Sequence, residues 1–85
     1  MKYYHGEINT PFEKHIDIYI AETDYQSAEW KVWDQAKAYG ARFVEDVNVD
    51  CDERDFVDEC EGWIIDQITE EWYAEARRDG EWCVY

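Results

Sequence analysis

Eighty-five residues suffice for one small domain, which buries roughly 60–65% of the surface its unfolded chain would expose. At 46% hydrophobic and 18% aromatic, the chain falls outside the acidic disordered class, which is poor in such side chains. Twenty-two Asp and Glu against eight Lys and Arg give a net charge of −14; residues 45–85 hold 15 of those acids with only three arginines, whereas residues 1–44 nearly balance, which argues against an evenly charged halophilic surface.

Lys2–His5 reads as a short edge strand, and Gly6–Phe12, with a Gly, an Asn and the only Pro, as a loop. From His15 to Ala21 the chain alternates. Ile16, Ile18 and Ile20 point one way and His15, Asp17 and Tyr19 the other, as in a half-buried strand. Thr23-Asp-Tyr-Gln26 has the spacing of a capping box with Thr23 at N-cap. The helix it opens runs to about Tyr39, with Gly40 placed to end it. Tyr25, Ala28, Val32, Ala36 and Tyr39 form its apolar stripe, flanked by Trp33, and Trp30 lies well off it.

Arg42–Val49 reads as a strand or two short ones, with Phe43, Val47 and Val49 on one side. Asp50 or Asp52 then caps a second helix that extends to Arg78. Acids crowd its start and Arg77 and Arg78 sit in its last turn, as the macrodipole favours. Phe56, Val57, Cys60, Trp63, Ile64 and Ile68 face inward, after which the apolar side drifts to Ile65, Trp72 and Ala76; a kink at Gly62 fits that drift. Asp79-Gly80 turns the chain into a last strand over Trp82–Tyr85. The order β-β-α-β-α-β implies an α+β fold, a small, mostly antiparallel sheet of three to four strands packed against two helices on one face. The connection through the first helix leaves room for one parallel pair. Leucine is absent, so seven Ile, six Val, seven Tyr and five Trp must fill the core, and these side chains favour a sheet.

Cys51, Cys60 and Cys83 cannot all pair within one chain, no segment resembles a signal peptide, and no run approaches the ~20 apolar residues of a membrane span. A reducing cytoplasm without membrane attachment is the expectation. Asn48-Val-Asp50-Cys-Asp52 with Glu59 has the outline of a calcium loop, but Glu53 stands where its sharp turn needs Gly. Cys51 and Cys60 lack the short-spaced Cys or His partners of a zinc site. His5 and His15 are the sole imidazoles and there is no phosphate loop or nucleophile elbow, so neither catalysis nor a cofactor is expected.

Projected at helical spacing, the second helix aligns Asp52, Asp55, Glu59, Asp66 and Glu70 on one face, with Asp58 close by, over about 27 Å. Glu45, Asp46 and Asp50 extend the field before it. That is one carboxylate per roughly 5 Å, against one phosphate per ~3.4 Å of a DNA strand. Solvated helix faces usually interleave bases with acids; here bases are almost missing, and like charges four apart cost stability. A surface for a strongly basic partner is the leading reading, and a plain solvated face the other. Trp30 and Trp72 are the aromatics expected to be partly exposed and to add short-range contact. The stripe holds as one line only if the helix runs through Gly62; a break there divides it into two patches.

In length, composition and the acid-rich run Glu45–Glu61, the chain resembles the small acidic DNA-mimic inhibitors of phages and mobile elements, which include anti-CRISPR proteins, antirestriction proteins and inhibitors of DNA-repair enzymes. The stretch Asp52-Glu-Arg-Asp-Phe56 is similar to plasmid antirestriction proteins. The resemblance implies a stoichiometric inhibitor, foremost an anti-CRISPR protein, that covers the basic DNA-entry or PAM-reading surface of a Cas effector, or the DNA groove of a restriction enzyme. It would bind no nucleic acid itself. Two other readings stay open: a non-mimic adaptor that uses its Trp/Tyr surface, homodimerisation included, and an acidic antitoxin.

Overall fold

The computed structural model describes residues 1–11, 15–47 and 57–84. Its elements are β1 (Lys2–Asn9), β2 (Ile16–Glu22), α1 (Tyr25–Val47), β3 (Glu61–Ile68), α2 (Glu70–Arg78) and β4 (Cys83–Val84). They form an α+β fold with one four-stranded sheet in the order β3-β1-β2-β4. β1 runs antiparallel to both β2 and β3, and the single parallel pair joins β2 to β4. The parallel pair is thus made by the last strand, because β1 lies between β2 and β3.

β1 differs from its expected form: it continues through Gly6 to Asn9 and lies inside the sheet. Tyr4, Gly6 and Ile8 alternate onto the buried face. Gly6 serves close packing there, since a Cβ would lie 2.9 Å from the Trp63 carbonyl oxygen and 3.1 Å from Val32 Cγ2. β2 alternates between faces as expected but is not half-buried: Ile18 and Ile20 are fully buried on one face, and Tyr19 and Ala21 are buried on the other.

The cap of α1 is Asp24, one residue past the expected Thr23: its Oδ1 accepts the Ser27 N–H at 2.7 Å, and its carbonyl accepts the Ala28 N–H. Nor does Gly40 end the helix, which runs on to Val47 in place of the expected strand beginning at Arg42. The reason is Cys60, fully buried, whose Sγ would lie 2.5 Å from a Cβ on Gly40. Val49 and the expected second-helix start at Asp50 or Asp52 lie outside the described residues.

The largest correction concerns the second helix. A helical turn over 57–59 gives way to β3, and only after Ile68 does α2 begin. Cys60, Ile64 and Ile68 are buried, and their four-residue spacing satisfies both a helix and a strand. Gly62 therefore marks no kink. It is a strand residue whose absent side chain leaves room for Val32, with Cγ1 2.7 Å from where a Cβ would stand. Thr69 caps α2 by accepting the Trp72 N–H at 3.1 Å. Its far end closes through Gly80 (φ +80°), with Gly80 N–H to Arg77 O and Glu81 N–H to Ala76 O, the Schellman pattern.

The helices also occupy opposite faces of the sheet. Ala28, Val32 and Ala36 of α1 bury Tyr4, Ile8, Ile18, Ile20 and Ile64 on one face. Tyr73 and Ala76 of α2 cover Tyr19, Ala21 and Ile68 on the other. A bulge allows β3 to serve both cores. His5 pairs with Asp66 but Gly6 pairs with Ile64, so Ile65 is extra and the alternation flips between Ile64 and Ile68. Each fully buried Ile or Tyr contributes about 1.5–3 kcal/mol.

Gly40→Ala gains roughly 1 kcal/mol of helix propensity but meets the Cys60 sulfur, an overpacking that costs about 1–3 kcal/mol. The variant is expected to lower the urea midpoint, and Gly40→Ala with Cys60→Ala to be more stable than the two single effects sum to. A purely additive pair in the double-mutant cycle would show that the sulfur does not dictate the glycine.

Candidate functional site

The lysines of α1 are engaged within the fold. Lys37 Nζ donates to the carbonyl oxygens of Val57, Asp58 and Cys60 at 3.0, 3.0 and 2.8 Å, closing the 57–59 turn whose final acceptors have no helical partner. It also lies 5.5 Å from the Trp33 ring centroid. Lys31 Nζ is 3.0 Å from Glu22. That contact, aided by the Thr23 N–H, holds the Glu22 carboxyl below its ordinary value. By contrast Asp58, Glu59, Asp66 and Glu70 are exposed, and none forms an ion pair with Lys or Arg among the described residues.

The expected single stripe is absent, because β3 separates its members. Asp58 and Glu59 precede the strand, Asp66 sits on it, and Glu70 opens α2 beside Glu71, where the helix N-terminus favours negative charge. Glu61 ends the first group and Asp66 begins the second, five strand rises or about 16 Å further on. Two acid patches therefore flank residues 62–65, in which Trp63 and Ile65 are exposed. Glu45 and Asp46 fall in the last turn of α1. Asp50, Asp52 and Asp55, like most of the calcium-loop outline, lie outside the described residues.

Trp30 and Trp72 are exposed as expected, at 64% and 47%, but on helices that cover opposite faces, so they form no common patch. Trp30 instead meets Trp33 edge to face at 5.8 Å, and both line an open groove of ≈ 380 Å³ with Gln26, Glu29 and Gly62. Trp72 lies 6.4 Å from the His5 ring, and its indole N–H donates to Tyr19.

A polar cluster on the α2 side of the sheet escaped the sequence reading, which placed Gly6–Phe12 in a loop. His5 Nε2 is 2.9 Å from Asp17 Oδ1, Nδ1 is 3.9 Å from Asp66, and the ring stacks on Tyr19. Nearby, His15 Nδ1 bonds the Glu7 carboxylate, and the His15 N–H donates to Asn9 Oδ1, fixing an exposed residue at φ +61°. The alternation Tyr3-His5-Glu7 was the available signal. Burial, then the Asp17 and Glu81 carboxylates, push the Tyr19 phenol up. Among the described residues no three His, Cys, Asp or Glu side chains are placed to hold a metal ion, and no helix is long and apolar enough to cross a membrane. Burial also raises the Cys60 and Cys83 thiols, keeping them poor nucleophiles. No family model, curated protein or solved structure matches the chain.

Lys37→Met leaves three carbonyls without their cation and is expected to cost about 2–3 kcal/mol in urea unfolding; a loss below about 0.5 kcal/mol would show that water replaces the ammonium. Glu22 has a second signature. Its carboxyl is lowered in the fold, so its contribution is complete above the ordinary 4.5 and disappears as pH falls through the lower folded value. The urea-midpoint gap between wild type and Glu22→Gln should accordingly be open at neutral pH and close under acid. A gap constant down to pH about 2 contradicts the Lys31 pairing.

Proposed function

We propose that this protein is an acidic DNA-mimic inhibitor, foremost an anti-CRISPR protein that binds the basic DNA- or PAM-reading surface of a Cas effector and blocks target DNA. A restriction enzyme or another DNA-handling enzyme is the same reading with a different target. The observation that carries it is the engagement of Lys31 and Lys37 inside the fold while the exposed Asp58, Glu59, Asp66 and Glu70 form no ion pair with Lys or Arg among the described residues. Self-repulsion at −14 destabilises the compact state, and a basic partner relieves it.

The two patches change what is imitated. Their nearest acids, Glu61 and Asp66, lie about 16 Å apart, near five phosphate steps of one strand, so they suit two separated phosphate-binding sites better than one continuous rail. Trp63 and Ile65 between them supply the short-range contact that selects a partner once charge has steered it. The reading needs no catalysis and no cofactor. An adaptor role is the second reading, favoured by the exposed Trp30–Trp33 pair.

The test uses purified, guide-loaded Cas effectors and type-matched restriction enzymes, with duplex DNA as competitor. Inhibition should weaken steeply between about 50 and 200 mM salt, and Glu59→Lys with Asp66→Lys and Glu70→Lys should raise the inhibitory concentration about a hundredfold. Equal potency of that triple variant, or binding indifferent to salt and lost in Trp30→Ala, assigns the acids to solvation and favours the adaptor.

A further inference from the structure

The two sheet edges are unequal. β4 is two residues long, whereas β3 is eight, and among the described residues its outer side pairs with nothing. Exposed edges are usually blunted by Lys, Pro or shortness. β3 (EGWIIDQI) has neither Lys nor Pro; its charges are the acids Glu61 and Asp66, and a bulge interrupts it at Ile65. The half before the bulge borders the groove of Trp30, Trp33, Gln26 and Glu29 at Gly62. Main-chain donors and acceptors along one line, with aromatic side chains beside them, are the parts of a strand-addition site.

We propose, building on the acidic-inhibitor reading, that residues 61–65 receive a short, extended, basic segment of the partner as a fifth strand of the sheet. Charge selects this occupant. Glu29 lines the groove, Glu61 begins the strand, and Asp58 and Glu59 stand just before it, all exposed. A second copy would bring a further −14 against the same acids. A segment alternating Lys or Arg with apolar residues would place its cations among these acids and its apolar side chains against Trp30 and Trp33. The bulge at Ile65 limits the added strand to four or five residues.

The probe is the octapeptide (Lys-Val)4, compared with (Lys-Pro)4, which has equal charge but lacks every second N–H, and with (Glu-Val)4. Titration monitored by tryptophan fluorescence and amide exchange should show (Lys-Val)4 binding at least about tenfold tighter than either control, with new protection confined to the amides of 61–65. Trp30→Ala with Trp33→Ala, both exposed positions, should weaken it about tenfold. Equal binding of (Lys-Pro)4 without protection of β3 overturns strand addition and leaves the acidic-surface reading standing. Equal binding of (Glu-Val)4 overturns the basic occupant, and salt-insensitive inhibition of the enzymes separately overturns the acidic reading. Concentration-dependent protection of 61–65 in the free protein gives the edge to a second copy and overturns the proposal, as does no binding of (Lys-Val)4 at about 1 mM.

Discussion

Val32 sits in a notch made by two glycines, and the rest of the molecule is arranged around that contact. Its γ-methyls reach the places where side chains on Gly6 and Gly62 would stand, so α1 lies against the backbones of β1 and β3. Ala36 and Gly40 continue the same stripe of small residues along the helix, toward Gly62 and Cys60 respectively. A leucine would not fit along this stripe, which accounts physically for part of the odd composition. The bulk of the core comes from the sheet side, through Tyr4, Ile8, Ile18 and Ile20. The same close approach carries Lys37 to the carbonyls before β3 and sets Trp30 and Trp33 beside its edge.

The surface chemistry follows from that placement. With Lys37 directed at carbonyls and Lys31 at Glu22, the two lysines of α1 neutralise little of the acid on the outside. β3 then spaces the remaining acids into two groups with an apolar interval, an arrangement closer to a protein interface, with its apolar centre and polar rim, than to a uniformly charged rod. Charge of this kind governs encounter and register, while the aromatic interval governs how long a complex lasts.

Much of the fold was legible where one period dominated. β2 alternates over its whole length, and Ala28, Val32 and Ala36 repeat at helical spacing with nothing to contradict them. The helix stop at Gly40 failed because the residue answers to Cys60, twenty positions away, and no local rule contains that contact. The long second helix failed because 60, 64 and 68 satisfy two periods at once, and the bulge at Ile65 removed the alternation that would have decided between them. Thr69 followed by two glutamates, with Arg77-Arg78 before Asp79-Gly80, was a complete signature of a short helix, hidden inside the longer one. Of the candidate site, the exposure of Trp30 was legible from its place off the stripe, whereas Trp72 stood on the drifting apolar side of the expected long helix, and the division of the acids into two patches depended on β3 and was not legible.

The parallel pairing of β4 with β2 bears on the order in which the molecule assembles. β1 and β2 are neighbours in sequence, and with α1 and β3 they supply the buried residues of the first core, onto which Trp82 and Val84 then pack. Tyr19 and Ile20, by contrast, find Cys83 and Val84 across a separation of 64 residues, at a large cost in loop closure. The α2–β4 segment, held by a smaller cluster and a two-residue strand, is therefore the last unit to dock and the first to open. Its release would uncover Tyr19, Ala21 and Ile68 and part Trp82 from Tyr39. The seating of Val32 against Gly6 and Gly62 involves none of its residues, so such an opening would leave the first half of the β3 edge, where the partner is proposed to bind, held by α1.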